Sequence, residues 1–457
     1  MRGHHRRRLG RIGQARAFTA PAGGWADSGS FPPRPGNRVE LLVDGAEALP
    51  RMAADVVEAQ SHVNLAGWFF TPGIRLGEDG PTLAALLAET AERVPVRVLA
   101  WAGAPLPLFH PDRGEARQMR DMLTRSTRVE VELDAKERPM HCHHEKLVLV
   151  DDRVAYVGGI DLTTFAGNRL DTSAHRARGE LGWHDACVRL EGPVVADVAE
   201  HFRQRWPGAL PAVGRPEPLD GVHVQLARTV PERLYGGLER GEFTILESYL
   251  RALRSAERFV YLESQFLWSS EIVSVLVDKL RNPPSDDFRL VVVLPSRPNN
   301  GQEDTRGQVG VLVDADRDSG GGTKRFLACT LYQPGRGGTI VYVHAKIGIV
   351  DDRWLTVGSA NLNEHSLFND TEVNVVVHDE ELTRAARLRL WCEHLERDDV
   401  DGDPVRVVDE LWRPIAEEEL ARRRNEGYVE RRLTLLPRVS RRAEALWGPL
   451  SGLLVDG

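Results

Sequence analysis

Residues 340–378 read IVYVHAKIGIVDDRWLTVGSANLNEHSLFNDTEVNVVVH, and within them His344, Lys346 and Asp351 stand in the order H-x-K-x-x-x-x-D. The run IVYVHAKIGIV is apolar with small or charged interruptions, which predicts a buried strand. It should turn at Asp351, Asp352 and Arg353 and return as WLTVG, making a hairpin. Side chains alternate across a strand, so His344 and Lys346 should project from one face, while the odd offset to Asp351 puts that carboxylate in the turn. A single half-buried histidine on a strand is ordinarily a core or edge residue, so this stretch alone establishes a local structure and no chemistry.

The pattern occurs twice. Residues 143–162, HHEKLVLVDDRVAYVGGIDL, place His144, Lys146, Asp151, Gly158, Gly159 and Asp161 at the spacings of His344, Lys346, Asp351, Gly358, Ser359 and Asn361. The chain is therefore an internal duplication. On these residues it resembles the phospholipase D superfamily, whose defining motif is this duplicated H-x-K-x-x-x-x-D. The likeness extends past the signature, because passages of the form GWHDACVRLEGPVVADVAEHFRQRW follow the first motif in both phospholipases D and cardiolipin synthases. The fold that the resemblance implies is a duplicated α/β one, two α/β/α sandwich domains with mixed sheets related by a pseudo-twofold axis.

A chain of 457 residues is too long for one ordinary core and suggests two domains. Hydrophobic residues at 42% and charged residues at 28% describe a globular protein, and a net charge of -8 gives no support to sequence-independent binding of nucleic acid. Cys142, Cys187, Cys329 and Cys392 lack C-x-x-C spacing, which points to reduced thiols. Apolar runs such as VNLAGWFF and RLVVVLP are strand-sized, and the basic start MRGHHRRRLGRIGQAR has no apolar core after it. The expectation is a cytoplasmic protein, a monomer in peripheral contact with a membrane surface, with neither signal peptide nor spanning segment.

In chain order, residues 1–37 read as a disordered basic tail, 38–212 and 213–400 as two phospholipase D-like domains with one motif each, and 401–457 as a helical extension containing Trp412 and Trp447. The first half predicts helices near Ala46–Ser61, in TLAALLAETAER and over Arg113–Leu123, between strands HVNLAGWFF and VRVLAWAG. After its motif, Gly167–Gly179 reads as a loop over the site, and a helix with Val195, Val198, Phe202 and Trp206 on one face follows. The second half repeats this order from Phe243 to the helix ELTRAARLRLWCEHLERD, with Ser296–Lys324 expected as a long loop. Within it, DADRDSGG lacks the glycine and the glutamate of a calcium loop.

Phosphodiester chemistry needs a nucleophile, an acid for the leaving group and positive charge on the non-bridging oxygens. Two histidine and lysine pairs supply all three without a cofactor. The resemblance implies His144 as nucleophile and His344 as general acid, Lys146 and Lys346 on the phosphate, and a carboxylate orienting each imidazole, at Asp185 in WHD and Glu372 in DTEVN. The gap from His144 to Asp185 is long and loop-containing. Asn361 and Ser359 match the family's phosphate-contacting GSAN, and Gly159 and Asp161 occupy the corresponding first-half positions, where an ionised Asp161 cannot donate to phosphate. Gly158, Gly159 and Gly358 suit either close approach to a ligand or tight strand packing. Asp151 and Asp351 belong to the signature, yet as turn residues they suit backbone capping better than chemistry. The cluster His141, Cys142, His143 and His144 suggests a metal, but neighbours on a strand point to opposite faces, so no metal ligands are assigned.

Within the family, YLESQFLWSS resembles the Y-[IL]-E-x-Q passage of phospholipases D that act on phosphatidyl lipids, while VHAK and TEVN are also similar to cardiolipin synthases. The expected function is a phospholipase D-type phosphodiesterase, with a cardiolipin synthase-like phosphatidyltransferase as the alternative. A nuclease and a non-catalytic lipid-binding protein rank behind both.

Overall fold

The computed structural model describes residues 2–106, 109–138, 141–164, 182–298, 302–319 and 324–436. Its strands pair as two mixed sheets of matching order. In the first half, strand Val63–Gly67 lies parallel to Val96–Trp101, which lies parallel to Glu130–Asp134. On its other side follow, all antiparallel, Leu147–Val150, Val154–Gly158, Ala186–Glu191 and Arg34–Val43. The second half repeats this with Phe259–Glu263, Arg289–Val293 and Phe326–Gln333, then Ile347–Val350, Trp354–Gly358, Glu372–His378 and Val222–Val230. The sheets meet where Arg34 and Asn37 pair with Val224 and Val222.

Period-two burial explains the layering. Leu147 and Leu149 face a core shared by both halves, whereas Val148 and Val150 face helices Asp44–Val57, Leu83–Ala91 and Arg113–Thr124. Phe259 and Tyr261 likewise enter the shared core, while Val260 and Leu262 pack toward helices Thr244–Ser255 and Ser270–Arg281. Between the sheets run helices Val194–Arg205 and Glu380–Leu395, and the predicted face of Val195, Val198, Phe202 and Trp206 lies in that shared core. Each sheet thus has helices on both faces.

Four expectations need correction. The basic N-terminal segment is ordered: Arg2–Arg11 is a helix, Leu9 is fully buried, and Arg8 reaches Glu232 at 3.0 Å and Asn369 at 2.8 Å. Its arginines read as excess charge because their acidic partners, Glu232 and Glu271, lie far along the chain. The expected loop from Ser296 contains the helix Gln302–Asp318, stabilised by burying Leu312 and Ala315. The C-terminal extension is not only helical, since Leu433–Leu435 adds a strand to Phe326–Gln333. The H-x-K run is not one continuous strand either. It divides into Thr339–Val343 and Ile347–Val350, because the His344 and Ala345 N–H groups both turn to the carbonyl of His184, at 2.8 and 3.1 Å. The Gly167–Gly179 segment and Trp447 lie outside the described residues.

The hairpin turns follow the expected chemistry. Asp151, Asp152, Asp351 and Asp352 all have positive φ, 58, 51, 52 and 53°, as a two-residue turn matching strand twist requires, and aspartate tolerates that region. Asp351 accepts hydrogen bonds from the N–H groups of Glu257, Arg258 and Phe259 at 2.7, 2.8 and 2.7 Å. Asp151 accepts from Gln60, Ser61 and His62 at 2.9, 2.7 and 2.9 Å. These carboxylates staple each hairpin to the neighbouring strand. Asp351→Ala should therefore lower stability by about 2 kcal/mol in urea titrations, and Asp351→Asn by less because it keeps one acceptor oxygen. An unchanged midpoint in both variants would show that the staple contributes nothing.

Candidate active site

The two motifs converge through an exchange of parts between the halves. His144 Nδ1 donates to Glu372 Oε1 at 2.9 Å, and His344 Nδ1 donates to Asp185 Oδ2 at 2.7 Å. Each imidazole is therefore held by a carboxylate of the opposite half, which corrects the assumption that Asp185 is counted from His144. The backbone is exchanged in the same way. His144 and Glu145 donate their N–H groups to the carbonyl of Thr371, both at 3.0 Å, mirroring the bonds of His344 and Ala345 to His184. Strand Gly182–His184 pairs in parallel with Thr339–Val343, and His143 bridges in parallel to Thr371.

All the central groups are buried: His144, Lys146 and His344 are 4% exposed, Lys346 1%. Each lysine donates from Nζ to the carbonyl of the histidine before it, Lys146 at 2.6 Å to His144 and Lys346 to His344. Burial pushes the Lys346 ammonium down to about 7; Lys146 lowers it further, while Asp185, Asp161 and Glu372 raise it. Those electrostatic neighbours come from both halves, so the two motifs share one site. Burial also pushes the Glu372 carboxyl up to about 8, opposed by Lys146 and by the hydroxyls of Ser359 and Ser366. Nδ1 of each ring is thus committed to a carboxylate, which fixes the orientation of the imidazole.

The other expected residues fall into two groups. Asp161 sits 3.4 Å from Lys146 Nζ, and Ser359 donates to Glu372. Asn361 donates to Gln265 at 3.3 Å, and its buried Oδ1 has no hydrogen-bond partner among the described residues. Asp151 and Asp351, by contrast, cap backbone in the turns. The glycines are packing positions: a Cβ at Gly158 would meet Cys187, one at Gly159 the Asp185 carboxylate and one at Gly358 Asn374.

Several contributors were not read from the sequence. Ser366 donates to Glu372 at 2.6 Å, Trp183 packs edge-on to His344 with ring centroids 4.6 Å apart, and Asp44 accepts the Asp185 N–H at 3.0 Å. A signal for the backbone straps exists, since His184 and Thr371 each immediately precede an orienting acid.

A family model described as cardiolipin synthase, phospholipase D-like domain, matches residues 249–391. Phospholipase D A of Dictyostelium discoideum is 26% identical over 466 residues, covering 80% of this chain and 36% of that protein. Major cardiolipin synthase ClsA of Bacillus subtilis is 24% identical over 369 residues, covering 75% of this chain and 66% of that protein. The chain thus spans less than two thirds of either relative. A crystal structure of phosphatidylserine synthase from Haemophilus influenzae Rd KW20 superimposes with a TM-score of 0.55 at 12% identity, covering 84% of this chain and 89% of that one, which shows a common fold. With a duplicated sheet, two interlocked H-x-K motifs and relatives of this kind, the chain is similar to the phospholipase D superfamily in both sequence and fold.

Proposed function

We propose that this protein is a phospholipase D-type phosphodiesterase that cleaves the distal phosphodiester bond of phosphatidyl lipids through a phosphohistidine and passes the phosphatidyl group to water or an alcohol. The crossed pairs, His144 with Glu372 and His344 with Asp185, carry this reading, because they supply two oriented imidazoles in one buried site. In the first step His144 Nε2 attacks phosphorus, the bond to the headgroup oxygen breaks, and His344 Nε2 gives that oxygen its proton. In the second, His344 takes a proton from the incoming water or alcohol, whose oxygen displaces His144 from phosphorus. Lys146 and Lys346 hold the non-bridging oxygens throughout, with the Asn361 amide beside them. The substrate implies peripheral contact with a lipid surface; no helix among the described residues is long and apolar enough to cross a membrane.

Transfer to an alcohol acceptor, as in a cardiolipin synthase-like phosphatidyltransferase, is the second reading. It is favoured by the family model over residues 249–391 and needs no change in the residues above. Purified protein on mixed phospholipid vesicles, with and without primary alcohols and phosphatidylglycerol, would separate the two by the products seen in mass spectrometry. Release of neither free headgroup nor transfer product would sink both.

The covalent step has its own test. His344→Ala keeps the nucleophile and loses the acid, so a phosphatidyl ester of p-nitrophenol, whose leaving group needs little protonation, should give a burst of one equivalent. Turnover should then fall by about 10²–10⁴-fold, with acid-labile phosphate on the peptide containing His144. Label on His344 in the His144→Ala variant would reverse the two roles.

Charge at Lys346 predicts a pH dependence. Its ammonium, lowered by burial to about 7, is present below that pH and lost above it in the free enzyme, so kcat/KM should fall as pH rises through about 7. Bound phosphate favours the ammonium, so the corresponding fall in kcat should lie at higher pH. Lys346→Arg, which stays charged, should abolish the limb near 7 even with lower activity. A limb that persists in this variant belongs to another group.

A further inference from the structure

Three residues before His144, the run HCHH meets the second half in a way the phosphodiester chemistry does not use. His141, partly exposed, and His365 and Asp370, both buried, bring three ligand atoms within 4.8 Å of one another. His141 Nδ1 lies 3.0 Å from His365 Nδ1 and 3.3 Å from Asp370 Oδ1. Asp370 Oδ1 also accepts the Cys142 N–H at 3.0 Å, while the fully buried Oδ2 has no hydrogen-bond partner among the described residues.

Protons satisfy this arrangement poorly. In a neutral imidazole, Nδ1 either donates or accepts. If His141 Nδ1 accepts from His365, it turns a lone pair toward the Asp370 carboxylate. If it carries the proton, one N–H has to be shared between Asp370 and the lone pair of His365, and with both rings protonated at Nδ1 their hydrogens collide. One cation among the three atoms satisfies all of them. Two nitrogens bound at about 2.0–2.1 Å in a tetrahedral site are about 3.3 Å apart, close to the 3.0 Å between the two ring nitrogens.

We propose that His141 Nδ1, His365 Nδ1 and the Asp370 carboxylate bind one divalent transition-metal ion of the zinc class, with a fourth position left for water or another ligand. Two imidazoles and one carboxylate suit zinc and its neighbours better than magnesium or calcium, which prefer oxygen ligands alone. The Cys142 N–H on Asp370 Oδ1 fixes the carboxylate, and Trp268 packs edge-on to His365 at 5.6 Å, supports that commonly surround such ligands. Because His141 belongs to the first half and the other two ligands to the second, the ion clips the halves together. It sits beside Thr371, whose carbonyl holds His144. The HCHH run was set aside as a metal site because adjacent residues diverge; only His141 is used, and its partners come from a distant segment.

Two other clusters lack these features. In the buried set His184, Glu263 and His394, each carboxylate oxygen already accepts from a ring nitrogen, at 2.7 and 3.2 Å. His110, Asp112 and Glu115 form an exposed helix cap, with Asp112 accepting the Gly114 and Glu115 N–H groups.

The test uses the full chain, stripped with chelator and dialysed, then titrated with zinc chloride against a chromophoric competitor and with cobalt chloride in the visible range. One tight equivalent of zinc and the intense absorption of four-coordinate cobalt are expected. His141→Ala, which removes a partly exposed ring, and Asp370→Asn should each weaken zinc at least 100-fold, with thermal melts confirming that both fold. Zinc should raise Tm in the wild type and not in His141→Ala, and His110→Ala should bind as the wild type does. Failure of the folded wild type to take up a tight equivalent, or undiminished affinity in both ligand variants, overturns the proposal. Since the readout is metal binding, it stands or falls apart from the catalytic reading.

Discussion

Everything at the centre of this protein depends on an exchange between its halves: the carboxylate that orients each imidazole comes from the other copy. Asp185 fixes His344 and Glu372 fixes His144, inside a core where a misdirected ring nitrogen would find no water to replace its partner. The carbonyls of His184 and Thr371 repeat the exchange in the backbone, each accepting two N–H groups from the opposite motif. Neither half can then assemble a competent histidine by itself. Duplication here has produced one site distributed over two halves, and the integrity of the seam is a condition for the geometry of that site as well as for stability.

A second layer of buried charge holds the seam from below. His184, whose carbonyl straps His344, has its ring between Glu263 and Asp44, and these carboxylates raise its pKa well above normal against the opposing effect of burial. On the other side His143, next to His144, sits 3.3 Å from Asp134, which Arg205 and Tyr235 also engage. Arg205 in turn binds Glu145, the residue between His144 and Lys146. Removing one partner from such a network leaves a buried charge uncompensated, a loss of about 3–5 kcal/mol. The motif residues are thus set in place by ionic networks whose members look, in sequence, like ordinary helix and strand positions.

That difference explains what the sequence made legible. Strand alternation is local, so the hairpins, the repeated order of elements and the inward face of Val195, Val198, Phe202 and Trp206 could be read from period alone. The pairing of Asp185 with His344 could not, because nothing local distinguishes it from a pairing with His144. Arg8 was misread for the same reason: its charge is balanced by Glu232, on a segment that composition does not connect to it. The helix Gln302–Asp318 was missed because its glycines and aspartates outweighed the two fully buried contacts, Leu312 and Ala315, that stabilise it.

Two copies of one motif would give two equivalent histidines, yet a displacement needs a nucleophile and an acid that differ. Among the positions where the copies diverge, two lie at the site. Where the second half has Ser359, whose hydroxyl donates to Glu372, the first has Gly159, and a Cβ there would strike the Asp185 carboxylate. Where the second half has Asn361, the first has Asp161, which pairs with Lys146. Glu372, on His144, is therefore held by two hydroxyls, Ser359 and Ser366, whereas Asp185, on His344, accepts the Ala186 N–H from its own backbone. The two imidazoles thus face carboxylates that differ in side chain and in surroundings, and Lys146 pairs with an acid at the position where the other half has the Asn361 amide. A nearly symmetric fold supplies the geometry, and differences of this kind make the surroundings of the two histidines unequal.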